Sequence, residues 1–300
     1  MTRLGGLGES ELLRRLLPYL TTTGYQVVAG EDDAAVWPSL DPDHPEDYVV
    51  ASCDTSVEGV HFDLSWMPAV DIGYRALALA LGDLASKGAS PKYLLVALAA
   101  PPSWEVDTVT GLYEGIHRLA ERFDINVAGG DLSSTQGPAV ITLTVIGTAP
   151  LVPLARSKVQ SGWLVGVTGP LGGASLALRE RRVFLPRPDF ERGKLLNQAE
   201  LACGDISDGL LREMEKYAAV SGAGAVIRAQ DVPVAAGATM IDALTGGEES
   251  EFVCVGPEDK LLRAGLHPIG VMTSTPDVRV IDANGADIQV ATHGYDHFSR

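Results

Sequence analysis

Carboxylates set beside glycine are the residues of this chain best placed to do chemistry. Gly30-Glu-Asp-Asp-Ala-Ala-Val36, Ala80-Leu-Gly-Asp-Leu-Ala-Ser-Lys-Gly88, Val127-Ala-Gly-Gly-Asp-Leu132 and Gly204-Asp-Ile-Ser-Asp-Gly209 each end or follow an apolar run, as does Asp54 within Tyr48–Phe62. Like charges gathered away from bulk water repel strongly, and a cation is the usual way to neutralise them. Hard oxygen donors without a His or Cys cluster point to Mg²⁺, with Mn²⁺ as the alternative. Mg²⁺ completes its octahedron with water and substrate phosphates. Phosphate chemistry is therefore the first expectation.

The elements that must position these groups read as follows. Val49, Val50 and Ala51 form a strand interior, which puts Asp54 at a strand end where polar groups can converge on a ligand. Ser10–Leu20 reads as a helix, Tyr25–Ala29 as a strand and Pro38–Pro45 as a surface turn. Asp71–Ala85 has helical periodicity and stops at Lys87-Gly88, with Pro91 beyond; Asp83 falls in its last turns. Tyr93–Ala99 is a strand, Ser103–Phe123 a long helix, Ile125–Ala128 a short strand and Ala139–Gly147 another strand. The alternation makes the chain α/β or α+β.

Two prolines in Ala149-Pro-Leu-Val-Pro153 mark a boundary near residue 150, dividing the chain into 1–149 and 150–300. The second half opens with strand Trp163–Val167 and the turn Thr168-Gly-Pro-Leu-Gly-Gly-Ala-Ser175, which leads into a helix. That turn matches neither common phosphate-loop pattern. Asp208 starts a helix through Val220, and strands follow at Ala225–Ile227 and Phe252–Val255.

Composition is globular, with 46% hydrophobic and 21% charged residues. The net charge of −16 argues against nucleic acid, since no basic stripe could neutralise a phosphate backbone. No apolar run approaches the ~20 residues of a membrane span, so a membrane is not expected as a partner. Cys53, Cys203 and Cys254 contain no C-x-x-C pair, so neither a disulfide framework nor a zinc site is indicated. Reduced thiols and an N-terminus without a signal-peptide core fit a cytoplasmic location.

Taken in order, Glu31-Asp-Asp-Ala-Ala, Asp54-Thr-Ser-Val-Glu-Gly-Val-His-Phe62, Gly82-Asp-Leu-Ala-Ser-Lys-Gly-Ala-Ser-Pro91, Gly129-Gly-Asp131, Ile206-Ser-Asp-Gly-Leu210, Gly246-Gly-Glu248 and Gly294-Tyr-Asp-His-Phe298 resemble the thiamine-monophosphate kinase family. Several of these motifs are shared with the wider aminoimidazole-ribonucleotide synthetase-like superfamily; their joint order, covering nearly the whole chain, is specific. The resemblance implies ATP-dependent phosphorylation of thiamine monophosphate to thiamine diphosphate with several Mg²⁺ ions. It also implies a two-domain homodimer, with an N-terminal mixed sheet that pairs in the dimer and a C-terminal α/β domain. Carried over by position, Asp33, Ser52, Asp54, Asp83, Asp131, Asp205 and Asp208 would bind metal, with Asp54 and Asp208 central to catalysis. Tyr113, Gly130, Asp131, Arg156 and Ser207 would contact ATP, while His61, Glu248 and Tyr295, or Phe298 in its place, would contact the thiamine substrate.

The chain departs from the family pattern at Glu31, at Cys53 and at Glu249-Ser250. A thiol is a poor Mg²⁺ ligand, so a side-chain role for position 53 would weaken a metal site and a backbone role would not. Two rival functions follow: another ATP-using synthetase of the superfamily, or a nucleotide-binding regulator that has lost turnover. For the kinase, positioning and charge neutralisation do most of the work. The accepting phosphate is already anionic near neutral pH, its second pKa being about 6. His61 therefore reads as a substrate contact and not as a base.

Overall fold

The computed structural model describes residues 9–20, 24–28 and 31–298. Helix α1 (Glu9–Leu16) precedes β1 (Ala35–Pro38), β2 (Tyr48–Val57), α2 (Ala69–Ser86), β3 (Ser90–Ala100), α3 (Val106–Arg122), β4 (Asn126–Ser134) and β5 (Val140–Ala149). These strands make one mixed sheet in the order β1-β2-β5-β3-β4, antiparallel except where β3 runs parallel to β4. The parallel pair requires a crossover, and α3 supplies it.

Strand β5 shows why the sheet has two different faces. Ile141, Leu143 and Val145 are buried while Val140, Thr142 and Thr144 between them are partly exposed, the alternation that a pleated strand imposes. The buried face packs under α2, a helix apolar on nearly every side because α3 and α5 cover what the sheet does not. Gly115 lets α3 cross α2 closely; a Cβ there would lie 1.9 Å from the Val70 carbonyl oxygen. On the other face, Ala51, Ile146 and Tyr93 form one row, Cys53, Thr144 and Leu95 a second, and Thr55, Thr142, Ala97 and Asp131 a third.

The second half contributes β6 (Leu164–Val167), α4 (Gly173–Arg179), α5 (Phe190–Gln198), β7 (Ala202–Asp205), α6 (Leu210–Ser221), β8 (Gly224–Arg228), α7 (Met240–Thr245), β9 (Phe252–Gly256), α8 (Glu258–Arg263), β10 (His267–Thr273) and β11 (Val278–Ile281). Its sheet runs β11-β8-β10-β6-β9-β7. Val165, Leu211, Met214, Tyr217, Ile227 and Val253 belong to its core. Phe190, Leu196, Cys203 and Phe252 instead join the core of the first half, so edge strand β7 is seated against α2. That seating brings Asp205 to Asp83.

Several elements differ from the sequence reading. The strand expected over Tyr25–Ala29 is a single bridge between Val27 and Val36, and Ala29 lies outside the described residues. Helix α1 ends at Leu16 and tightens into a 3₁₀ turn over Leu17–Tyr19, where Pro18 supplies no backbone donor. The short strand at Ile125–Ala128 continues to Ser134, because pairing to β3 carries its glycines into the sheet. Cys203 and Cys254 are joined as a disulfide, contrary to the expectation of reduced thiols. They are directly opposed on β7 and β9, a proximity that their 51-residue separation in sequence hides.

Candidate active site

The centre is a frame of buried opposite charges. Arg156, from the turn before β6, directs its Nη2 to Asp33 Oδ1 and to Glu213 Oε2 at 2.7 Å on α6, and its backbone N–H donates to Asp32 Oδ2 at 2.8 Å. Lys87, at the end of α2, lies 3.0 Å from Asp33 Oδ2 and donates to the Cys203 carbonyl at 2.5 Å. These groups meet because Gly204 has no side chain; a Cβ would sit 2.7 Å from Arg156 Nη2 and 2.9 Å from Asp33 Oδ2. Burial pushes Asp33 upward, but Arg156 and Lys87 outweigh it and hold the carboxyl down to about 2.

Beside this frame, carboxylate oxygens of Asp33, Asp83 and Asp205 lie within 4.8 Å of one another. Asp33 enters from the loop before β1, Asp83 from the last turn of α2 and Asp205 from the end of β7. Ser52 Oγ on β2 is 2.5 Å from Asp83 Oδ2. Asp54, two residues on, shares its sheet face, as pleat alternation requires. Desolvation, then Asp33 and Asp208, pushes Asp54 up to about 6. Desolvation, then Asp33 and Glu213, pushes Asp205 up to about 8. Asp83 rises well above the usual range through burial and repulsion from Asp54 and Asp205. Among the described residues Asp205 Oδ1 is buried and accepts no hydrogen bond, while Asp33 Oδ2 faces only the Lys87 ammonium at 3.0 Å. An all-oxygen set with one buried acceptor left unserved fits a hard divalent cation.

On one flank, Lys216 Nζ bridges Asp208 Oδ2 at 2.8 Å and Glu213 Oε1 at 2.6 Å, and Ser207 Oγ donates to Glu213 Oε1 at 3.2 Å. The C-terminal segment docks there: the Tyr295 N–H donates to the Asp208 carbonyl at 2.9 Å. His297 of the same segment stacks on His61, with centroids 5.2 Å apart, and meets the Tyr295 ring edge-on. Phe298 N–H donates to Asp296 Oδ1. His61 Nδ1 accepts from the Val57 N–H at 3.0 Å, and burial, then His297 and Arg75, hold the ring down to about 4. A neutral His61 accepting at Nδ1 carries its proton on Nε2, so it offers a donor and not a base. Glu248 pairs with Arg75 of α2, whose Nη1 also donates to the His61 carbonyl at 2.9 Å.

Tyr113, Gly130 and Asp131 stand apart within the chain. Tyr113 on α3 packs against the first core. Register puts Asp54, Leu143, Val96 and Gly130 in one row, so Gly130 lies three strand spacings from Asp54, about 14 Å. Asp131 follows on the opposite face of exposed strand β4. Two of the family departures, Cys53 and Glu249-Ser250, fall outside the cluster, while Glu31 directly precedes Asp32 and Asp33. Cys53 Sγ accepts from Thr144 Oγ1 at 3.5 Å on the face away from Asp54. Glu249 Oε1 accepts from Gly172 and Ala174 N–H groups at the start of α4, and Ser250 Oγ from the Arg187 N–H.

Sequence reasoning missed Asp32, Arg75, Lys87, Glu213, Lys216 and His297. Arg75 had a signal, as the one basic residue in an otherwise mostly apolar helix. Lys87 looked like an ordinary helix-terminal cation, and only tertiary packing turns it inward.

A family profile described as AIR synthase related protein, N-terminal domain, matches residues 31–149. Thiamine-monophosphate kinase of Rhodopirellula baltica is 35% identical over 78% of this chain and 78% of its own. That of Bacillus subtilis is 30% identical over 97% of this chain and all of its own, 100%. The fold matches a solved structure of AaThiL complexed with AMPPCP and TMP, with TM-score 0.83, 24% identity and 99% of each chain covered. The acidic loops, their order and this likeness together place the chain in the thiamine-monophosphate kinase family, within the AIR synthase-like superfamily.

Proposed function

We propose that this protein transfers a phosphoryl group from ATP to thiamine monophosphate, giving thiamine diphosphate and ADP, with Mg²⁺ as the metal. The observation that carries the reading is the convergence of the Asp33, Asp83 and Asp205 carboxylates, with Asp205 Oδ1 buried and unserved, at the contact of the two halves. AMPPCP and TMP, the ligands of the related AaThiL structure, agree with it. Asp33, Asp83 and Asp205 would hold Mg²⁺, with Ser52, Asp54 and Asp208 beside them. When bound, the metal supplies charge neutralisation for the phosphates.

The chain's own residues do the remaining work. Arg156 and Lys87 keep Asp33 ionised. Asp83 and Asp205, whose carboxyls burial and mutual repulsion push upward, would be held as carboxylates by a bound cation, since opposite charge favours the ionised form. Lys216 holds Asp208 and Glu213 together beside the acidic cluster, a cation near which an anionic substrate group can be seated. His61 and Glu248 line the flank assigned to the thiamine substrate, and the segment carrying Tyr295 and His297 shields it from water. The nucleophile is the substrate's own phosphate oxygen, so no residue needs to remove a proton.

We further propose a homodimer in the cytoplasm, formed on the uncovered sheet face. Tyr93 and Leu95 are exposed there, and β4 is an edge strand with every residue exposed. A second copy against this face and the β4 edge would bring Gly130 and Asp131 toward a cleft that lacks them within one chain; Tyr113, on α3 across α2, lies on the other side of the sheet. No helix of the described residues is long and apolar enough to cross a membrane.

The substrate is tested by supplying purified protein, ATP and Mg²⁺ with thiamine monophosphate, aminoimidazole precursors or selenide in turn. ADP release with thiamine monophosphate alone supports the kinase. Release with another acceptor points to a different member of the superfamily, and nucleotide binding without release points to a regulator.

A further inference from the structure

Arg75 is the side chain through which the first half of the chain grips the second at the substrate flank. It lies in the second turn of α2, only 6% exposed. Nη1 donates to the His61 carbonyl at 2.9 Å and Nη2 pairs with Glu248 Oε2. Among the described residues Glu248 Oε1 accepts no hydrogen bond, so the pair immobilises one oxygen and leaves the other available.

The backbone of Glu248 is held as tightly as its side chain. Its φ is +60°, a left-handed conformation unfavourable for a residue with a Cβ. The Glu248 N–H donates to the Ser207 carbonyl at 2.8 Å, and the Glu249 N–H to that of Ile206 at 3.2 Å. A residue kept in a strained conformation, with a buried cation fixing its carboxylate, is one whose position matters. Helix α2 carries the gauge: Arg75 and Asp83 are eight residues apart on one rigid element, about 12 Å along its axis.

We propose that Arg75 is a positioning residue that sets Glu248 and the His61 turn at a fixed distance from the acidic cluster, so that Glu248 Oε1 meets the cationic heterocycle of the substrate while its phosphate lies at the carboxylates. This rests on the functional reading above. Arg75 touches no reacting atom; it acts through Glu248 and His61. A fork-shaped guanidinium is suited to the task, because it serves two acceptors at once in one plane.

The test is steady-state kinetics of the full-length protein and of Arg75→Met, Arg75→Lys and Glu248→Gln, varying thiamine monophosphate and ATP separately. Thermal melts confirm that each variant is folded. The expected result for Arg75→Met is a KM for thiamine monophosphate raised tenfold or more with KM for ATP within about twofold. Arg75→Lys should recover part of the loss, and the Arg75→Met/Glu248→Gln double variant should be no worse than the poorer single. If Arg75→Met does not fold, the same split must appear in Arg75→Lys at smaller size. Equal rises in both KM values, or independent effects of the two substitutions, would overturn the proposal while leaving the function standing. Absence of turnover in the wild-type protein would remove both.

Discussion

Lys87 Nζ lies 2.5 Å from Asp32 Oδ1, and both side chains are only 1% exposed. Burial by itself would lower the lysine pKa, but Asp32 and Asp33 outweigh it and keep the ammonium charged. A buried pair of this kind is weak evidence of net stabilisation, yet removing one partner leaves an uncompensated charge. Lys87→Met should therefore destabilise the metal-free protein by about 3–5 kcal/mol. Urea unfolding in EDTA measures this, and Mg²⁺ should recover part of the loss by binding the freed carboxylates. A change below about 1 kcal/mol would mean that Asp32 and Asp33 are not confined as described.

The acidic cluster sets the pH dependence of the metal-free protein. Asp54 and Asp205 rise from an ordinary 3.8 to about 6 and about 8. A carboxyl whose pKa is raised by folding binds more protons in the native state. Its contribution is full below the unfolded value and is lost as pH climbs through the folded one. Asp33, held down to about 2, acts oppositely and matters only as pH falls below 3.8. Stability in EDTA should thus decline between about pH 4 and pH 8, by at most about 1.4 kcal/mol per pH unit for each titrating group. Asp54→Asn should shrink the decline and nearly abolish turnover. Melts that improve toward pH 8 in EDTA would contradict this arrangement of charges.

The uncovered sheet face predicts a dimer. Light scattering at micromolar concentration should give about twice the 31.6 kDa chain mass. Leu95→Asp, at the centre of that face, should yield monomers that bind nucleotide poorly, because Gly130 lies about 14 Å from Asp54 within a chain. A monomeric wild type with full activity would refute it.

What sequence could and could not show follows from the range of the interactions. The carboxylates at Asp33, Asp83 and Asp205 were legible because local pattern places them at or near the ends of buried elements; Asp54, expected at a strand end, lies instead within β2, because pairing with β5 continues to Val57. The long elements α2, α3 and β5 were legible from periodicity. Their cations were not: Lys87 and Arg156 reach Asp33 from positions 54 and 123 residues away in sequence, and nothing local distinguishes them from surface residues. Strand β7 escaped notice because Ala202–Asp205 is short and gains its identity from pairing with β9. His297 was passed over for Tyr295 and Phe298 because aromatic rings look like stacking partners, whereas the ring packed on His61 is another imidazole.

The most direct test of the account follows the phosphoryl group. Purified protein with γ-labelled ATP and Mg²⁺ is given thiamine monophosphate in one reaction and thiamine in another. Label should appear in thiamine diphosphate, one per ADP released, with thiamine monophosphate only. The alcohol of thiamine lacks the anionic oxygen that lets this site work without a base. Equal labelling of the two acceptors, or ADP release without labelled thiamine diphosphate, would contradict the account.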